Sequence, residues 1–440
     1  MGYVGLTDSV MQIHQIHIKN IKSIRELTWD IPADKAKGWH VVLGDNGSGK
    51  STLLKAVAVA LLGPKESYGL RQPWDAWLRD GSRSGEIRLR IAWDSAIDAF
   101  VQKGKTPLPE KHLSLGVSLE KGDGDARALS FEPLDQGSDP NRHVWGSEHG
   151  WFSASYGPFQ RFAGGAGRVE QSTSGNLLRL NRHLSLFGEG VALTEGLDWL
   201  TWLSAEKRFQ GIGQELLTPL IQFINQDDFL PSGVRLKEIT PTHVLFSDAS
   251  GVSIPAQDLS DGYRSILSMT FELIRQLYFA FGAEKLFDSA DPKQVRASGV
   301  VLIDEVDAHL HPTWQKRIGF WLCEHFPNIQ FIVSTHSPLI CQAAERGSIL
   351  LLPRSGSQEK PRLLAGTEFK RVVYGNVLDA YGTDAFGEEA AMTRSPTSKA
   401  MRDRLAQLNN KELIKGLDES ERREQSDLRA TLPSAASSVE

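Results

Sequence analysis

The sequence predicts an α/β fold with a mixed, largely parallel core sheet, a separate antiparallel β layer and an inserted helical lobe. Three observations carry this reading. A glycine-rich loop, Gly44–Ser51, lies between a short apolar strand, His40–Leu43, and an apolar helix-like run, Leu53–Leu62. The buried-strand run Gly299–Ile303, the helical stretch Trp314–Phe326 and the apolar strand Phe331–Val333 follow one another at the spacing of a parallel strand–helix–strand unit. Finally, Ile87, Leu89 and Ile91 alternate with Arg88 and Arg90, and Leu113, Leu115, Val117 and Leu119 repeat that period of two. Such alternation marks half-exposed strands, here an antiparallel layer beside the glycine-rich loop.

The remaining elements follow in order. Ile13–Ile24 reads as a strand that turns into a second strand, Leu27–Ile31. Gly, Pro, Asp and Ser punctuate Lys103–Gly150, which reads as long surface loops around the alternating strands, and Gly164–Gly167 is a flexible joint. Leu193–Phe229 is helical by pattern and contains Trp199, Trp202 and Leu216; the strand pair Val234–Ile239 and His243–Phe246 follows. Leu259–Phe281 opens with a turn and continues as a helix that places Ile266, Met269, Leu273 and Leu277 on one face. The polar tail from Ser395 reads as a mobile helix or a disordered end. The expected organisation is an N-terminal lobe over 11–160, a helical lobe over 161–258, a C-terminal lobe over 259–365 and an extension over 366–440. No heptads are sustained, so no coiled-coil arms are expected.

Composition removes several classes. With 40% hydrophobic and 23% charged residues, this is a soluble globular mix. The formal net charge of −5 excludes a chain coated in nucleic acid, so any DNA contact must be a local patch. Cys323 and Cys341 form no CxxC, which fits a reducing cytoplasm and argues against a disulfide scaffold or structural zinc. The opening MGYVGLTDSV lacks a basic n-region and an apolar h-region, and Leu53–Leu62 is too short to span a bilayer. A cytoplasmic protein with no integral membrane association is expected.

The strongest chemical signal is Gly44-Asp45-Asn46-Gly47-Ser48-Gly49-Lys50-Ser51, a full GxxxxGK[ST] between strand and helix. Glycines let backbone N–H groups converge on phosphate oxygens, and the helix N-terminus adds a favourable dipole. Asn46, Gly47, Ser48, Gly49, Lys50, Ser51 and Thr52 are therefore the expected nucleotide-binding set. Lys50 would neutralise the β- and γ-phosphates of ATP, and Ser51 would ligate Mg²⁺. Asp304 and Glu305 end the Gly299–Ile303 strand. Asp304 suits the Mg²⁺ sphere, while Glu305 suits a general base that orients and deprotonates water. His309 and His311, two residues apart with no third ligand nearby, read as loop residues and not a metal site.

Leu259-Ser260-Asp261-Gly262-Tyr263-Arg264, taken alone, is a helix-capping turn. Together with the loop and the acidic pair it resembles the LSxG signature of ATP-binding-cassette ATPases. That resemblance implies that Ser260 and Gly262 reach across a dimer and cap the γ-phosphate of the other subunit's ATP. It also implies that His336, in Ser334-Thr335-His336-Ser337-Pro338, is a switch histidine at the γ-phosphate. Gln160, in Ser155-Tyr156-Gly157-Pro158-Phe159-Gln160, is the candidate Q-loop residue for nucleotide and metal, although it also reads as a plain surface residue.

The similarity covers Met11 to Leu339. The opening IHQIHIKNIKSIRELTWDI looks like the first strands of SMC, RecF and overcoming-lysogenization-defect ATPases, and DEVDAHLHPTWQKRI is close to the same soluble group. SYGPFQRF resembles a segment of stand-alone ATPases from anti-phage defence loci, such as the Septu and retron-associated subunits. The implied partners are a second copy in an ATP-sandwiched homodimer or larger oligomer, and a separately encoded effector such as a nuclease. Asp379, Asp384, Glu388 and Glu389 follow the last strand without a strand-borne Glu or a DxD, so no nuclease site is expected in this chain. A RecF-like repair role stays open, and the importer subunit is the weaker third reading. Duplex DNA is a candidate ligand for two arginine clusters, Arg71–Arg90 and Arg161–His183, which read equally as solvated strand faces. Trp74, Trp77 and Trp93 are expected in the core or an interface.

Overall fold

The computed structural model describes residues 11–93, 112–122, 129–134, 140–146, 151–158, 179–188, 195–209, 212–226, 229–230, 233–287, 293–308, 310–386 and 396–431. The chain divides after Ala380 into two compact units. In chain order, the elements that position the site in the first unit are β1 (Gln12–Ile21), β2 (Ile24–Asp30), β3 (Gly38–Leu43), α1 (Lys50–Leu62), β4 (Ser84–Ala92), β5 (His112–Lys121), β6 (Leu129–Pro133) and β7 (Ser153–Tyr156). There follow α2 (Glu195–Phe209), α3 (Ile212–Ile224), β8 (Arg235–Ile239), β9 (Val244–Ser247), β10 (Ser253–Pro255), α4 (Asp261–Phe281), β11 (Gly299–Ile303), α5 (Ile318–His325), β12 (Ile329–Thr335), β13 (Ser348–Leu351), β14 (Arg362–Leu363) and α6 (Gly366–Tyr374).

Three sheets result. The core sheet runs β14-β13-β3-β12-β11-β7, with all neighbours parallel except β14, which is antiparallel to β13. An antiparallel layer runs β2-β1-β4-β5-β6, and β10-β9-β8 is a small third sheet. The expected α/β class, with its parallel core and antiparallel layer, is the observed one. Helix α1 lies between the two large sheets, and ten of its residues are buried. A helix covered on both sides must be apolar all round, which is why KSTLLKAVAVALL shows no clean amphipathic stripe.

Gln330 joins the two layers from within β12, beside the apolar run Phe331–Val333. In the β1–β4 pairing Ile13 stands opposite Ile91 and Gln15 opposite Arg90, so the register shifts just after Ile13 and leaves a bulge at His14. The buried Gln330 amide satisfies both of its groups, accepting from Ile13 N–H at 2.7 Å and donating to Ile13 O at 2.9 Å. An unpaired buried peptide would cost about 1–3 kcal/mol per group, so this side chain keeps the bulge in place.

The stretch Lys103–Gly150, expected as loops, contains the edge strand β6. Strands β7, β10, β13 and β14 were also not expected. The tail, expected as mobile or disordered, holds two paired helices in the second unit, α7 (Pro396–Lys415) and α8 (Glu419–Thr431). The chain reverses at Gly416, whose φ of +78° suits glycine. Arg404 pairs with Glu424 at 2.7 Å, and Gln425 donates to Asn409 at 2.9 Å and Glu412 at 2.8 Å. Among the described residues, no helix is long and apolar enough to cross a membrane.

Candidate nucleotide-binding site

The site grows from the C-terminal ends of three adjacent parallel strands. β12 pairs with β3 up to Thr335 opposite Leu43, and with β11 up to Val333 opposite Ile303. The next residues along each strand are Gly44, His336 and Asp304, so sheet register alone brings three distant segments to one edge. Parallel α/β sheets bind ligands at this end because loops and helix N-termini converge there.

Between β3 and α1 the loop turns through Gly47 (φ +77°) and Gly49 (φ +105°), conformations that L side chains rarely adopt. A Cβ at Gly49 would also lie 2.8 Å from Ser23 Oγ. Gly49 caps α1, and Lys50 is its first residue. The buried Lys50 ammonium donates to Gly44 O at 2.8 Å and Asp45 O at 3.0 Å. Burial lowers its pKa, and Asp304, Glu305, Asp45 and Asp307 pull it back up. Those four carboxylates thus all act electrostatically on one cation. Ser51 and Thr52 are half-buried in the first turn, whereas Asp45, Asn46 and Gly47 are exposed.

Hydrogen bonds from the β12 tip hold the acidic pair. Ser334 Oγ donates to Asp304 Oδ1 and accepts from Glu305 N–H at 2.8 Å. Thr335 Oγ1 donates to Asp307 at 2.5 Å, and Ser337 Oγ donates to Gln315 Oε1 at 2.7 Å. Glu305 has φ +48°, a left-handed conformation that costs a non-glycine residue about 1 kcal/mol or more. It turns the chain at the strand tip and leaves the carboxylate half-exposed. Sequence reasoning missed the supporting hydroxyls Ser334 and Thr335 and the carboxylate Asp307. The polar run STHS at the end of an apolar strand was the available signal.

His336 is half-buried, and its pKa is lowered by burial first and then by Lys50, against the pull of Asp307, Glu305 and Asp45. Its ring is therefore neutral at pH 7. Two buried polar atoms here, Ser48 Oγ and His336 Nε2, have no hydrogen-bond partner among the described residues. Buried polar atoms are normally paired, so such orphans fit a polyanionic ligand that brings acceptors to the loop. A cation, a hydroxyl in the first turn and a buried carboxylate also fit a nucleotide phosphate chain with Mg²⁺.

Other expected site residues lie elsewhere. Ser260 is exposed at the N-cap of α4, with Gly262 half-buried in its first turn. No hydrogen bond or ion pair among the described residues connects either to the phosphate loop. Gln160 and His309 lie outside the described residues, while His311 caps a turn by accepting from Thr313 N–H at 3.3 Å.

The second arginine cluster needs correction as a DNA-facing surface. Arg179 is 4% exposed and ion-paired with Glu66, and Arg182 is 5% exposed over the Phe152 ring. Both are structural cations beside β7; Arg161 and Arg168 lie outside the described residues. Of the first cluster, Arg88 and Arg90 stay on the exposed face of β4, with Arg88 bound to Glu86. Trp77 is fully buried, and Trp74 and Trp93 pack against the core, as expected.

Two family models match this architecture. One, described as an AAA domain of the putative AbiEii toxin, Type IV TA system, matches residues 204–342, and an AAA domain model matches residues 15–97. The Septu protein PtuA of Bacillus mycoides strain KBAB4 is 25% identical over 352 residues, covering 79% of this chain and 41% of that protein. The retron Ec83 probable ATPase of Escherichia coli is 36% identical over 138 residues, covering 31% of this chain and 24% of that protein. The chain is homologous to these proteins. An OLD nuclease of Thermus scotoductus extends the group, at 24% identity over 344 residues, 74% of this chain and 59% of that protein. The chain thus spans less than two thirds of each of these relatives. Its matched AAA segments contain every strand tip described above: 15–97 holds the Gly44–Ser51 loop, and 204–342 holds the Leu259–Arg264 turn, the acidic pair and His336.

Proposed function

We propose that this chain binds and hydrolyses ATP with Mg²⁺, as a dimeric switch that gates a separately encoded effector nuclease in a bacterial anti-phage defence complex. One observation carries the reading: Lys50, Asp304, Glu305 and His336 meet at the ends of three adjacent parallel strands, where two buried polar atoms lack partners. The homology to Septu and retron ATPases supports the defence setting.

In this reading the loop N–H groups and Lys50 bind the β- and γ-phosphates, with the ammonium exchanging loop carbonyls for phosphate oxygens. Ser51 and Asp304 would hold Mg²⁺, together with Gln160; once bound, the ion spreads the negative charge of the phosphates. Glu305, anchored by its own N–H to Ser334, orients the attacking water and takes its proton. Neutral His336 donates from Nε2 to the γ-phosphate. Ser260 and Gly262 serve the nucleotide of the partner copy. ATP then stabilises only the closed dimer, and hydrolysis releases it.

The test is ATP turnover by the purified chain, with and without duplex DNA. Glu305→Gln is expected to bind ATP, remain dimeric and stop turning over, and Lys50→Ala to lose nucleotide binding. Wild-type turnover by Glu305→Gln would refute the assignment of the base. Stimulation by duplex DNA would instead favour a DNA-sensing or repair machine and would direct mutagenesis to Arg88 and Arg90.

A further inference from the structure

Tyr156 touches both halves of the machinery, one through its main chain and the other through its side chain. Tyr156 is the last residue of β7, the strand beside β11. Its carbonyl accepts the Asp304 N–H at 2.8 Å, so the main chain of the acidic strand tip hangs on it. Its ring is 1% exposed and points the other way, into α4. There the hydroxyl donates to Gln276 Oε1 at 3.3 Å, and Gln276 Nε2 donates to Glu272 Oε1 at 2.6 Å. Arg275 completes the chain by donating to Glu272 at 2.8 and 2.6 Å. Glu272 and Gln276 are 3% and 7% exposed, among the buried Phe271, Leu273, Ile274 and Leu277 of the same helix.

We propose that Tyr156 is a positioning residue that couples the signature helix α4 to the acidic strand tip. This rests on the ATPase reading above. Helix α4 begins at the signature and is unbroken to Phe281. A helix transmits displacement rigidly over such a span, and Gln276 lies about 21 Å along the axis from Gly262 at 1.5 Å per residue. In a sandwich dimer the signature serves the partner's nucleotide, while Asp304 serves the chain's own. Tyr156 therefore joins two nucleotide sites through one residue, main chain to one and hydroxyl to the other.

Packing alone does not call for this arrangement. A phenylalanine against a leucine would fill the same space without burying a phenol, an amide and a carboxylate. Buried polar networks of this kind are costly unless fully satisfied, and they hold their partners in one geometry. The phenol also stays a donor at neutral pH, because burial and the neighbouring Glu272 carboxylate keep its pKa well above the usual range.

The experiment is a double-mutant cycle in the full chain, with Tyr156→Phe, Gln276→Met and the double variant, read as kcat and KM for ATP. Each single change is expected to lower kcat about 5- to 10-fold, the worth of one buried hydrogen bond, with KM unchanged. The double variant is expected to be no slower than either single, because both cut the same link. Wild-type kcat in both singles, losses that multiply in the double variant, or a rise in KM with kcat unchanged would each overturn the coupling. The wild-type chain and Glu305→Gln, run alongside, separate the two levels. If wild type turns over and Glu305→Gln does not, the cycle tests Tyr156 alone; if the two behave alike, the ATPase reading fails first.

Discussion

Two polar clusters stand at opposite sides of β7, and they are built to opposite rules. At the strand tips, Lys50, Glu305 and His336 sit among unpartnered atoms and a left-handed backbone residue. Behind β7, the segment 179–188 forms a clamp in which the chemistry is used up internally. The fully buried His183 has Ser153 Oγ at 3.0 Å on one ring nitrogen and Ser155 Oγ at 2.9 Å on the other. Arg179 donates to both Glu66 oxygens and to the carbonyls of Val144 and Trp145. Burial and the neighbouring Arg182 and Arg179 push the His183 pKa down to about 3. The lesson is that a perturbed, buried histidine is not by itself a functional signal. His183 is more strongly perturbed than His336, yet only His336 keeps an unpartnered nitrogen.

The contrast predicts that changes at the strand tips alter rate and spare stability, while changes in the clamp do the reverse. Glu305→Gln should show the largest effect, a fall in kcat of about 10²- to 10⁴-fold for loss of a general base, with the urea midpoint unmoved. Arg179→Met should cost about 3–5 kcal/mol in urea unfolding, because it leaves Glu66 as an unpaired buried carboxylate. ATP turnover per folded molecule should survive; parallel loss of turnover would mean that the clamp also serves the reaction.

Acid should find the clamp next. The folded His183 pKa lies below the ordinary 6.5, as does that of His40 at about 4, so the unfolded chain takes up protons first. Stability is therefore full above pH 6.5 and falls by about 1.4 kcal/mol per pH unit for each group as pH drops toward 4. Urea midpoints measured from pH 7 to 4.5 check this, and His183→Gln should shallow the slope. A flat profile would mean that these rings are not held neutral. Ser334→Ala should show the smallest effect, roughly 10-fold in kcat, since it removes the hydroxyl shared by Asp304 and Glu305 while leaving both carboxylates.

Strand β7 shows why part of the fold could not be read ahead. SASY has two serines in four residues and no apolar run, so it carries little strand propensity. It becomes a core strand because His183 and Ser185, about 30 residues on, satisfy its serines and main chain. Likewise Arg179 and Arg182 read as surface charge until Glu66 and Phe152 are seen beside them. The phosphate loop, the acidic pair and His336 were legible because each is a short local pattern attached to a strand.

Local chemistry follows from the amino-acid order alone. GxxxxGK[ST] demands a loop of special backbone angles before a helix, and VVLIDE demands a buried strand that ends in acids. Both follow from residue type and near neighbours. Which of these ends meet is settled by the folded chain, because sheet register and order are set by contacts hundreds of residues apart. The same is true of the polar groups. Whether a buried histidine or glutamine is spent on its neighbours, as at His183 and Gln330, or left open, as at His336, depends on partners that no local pattern names.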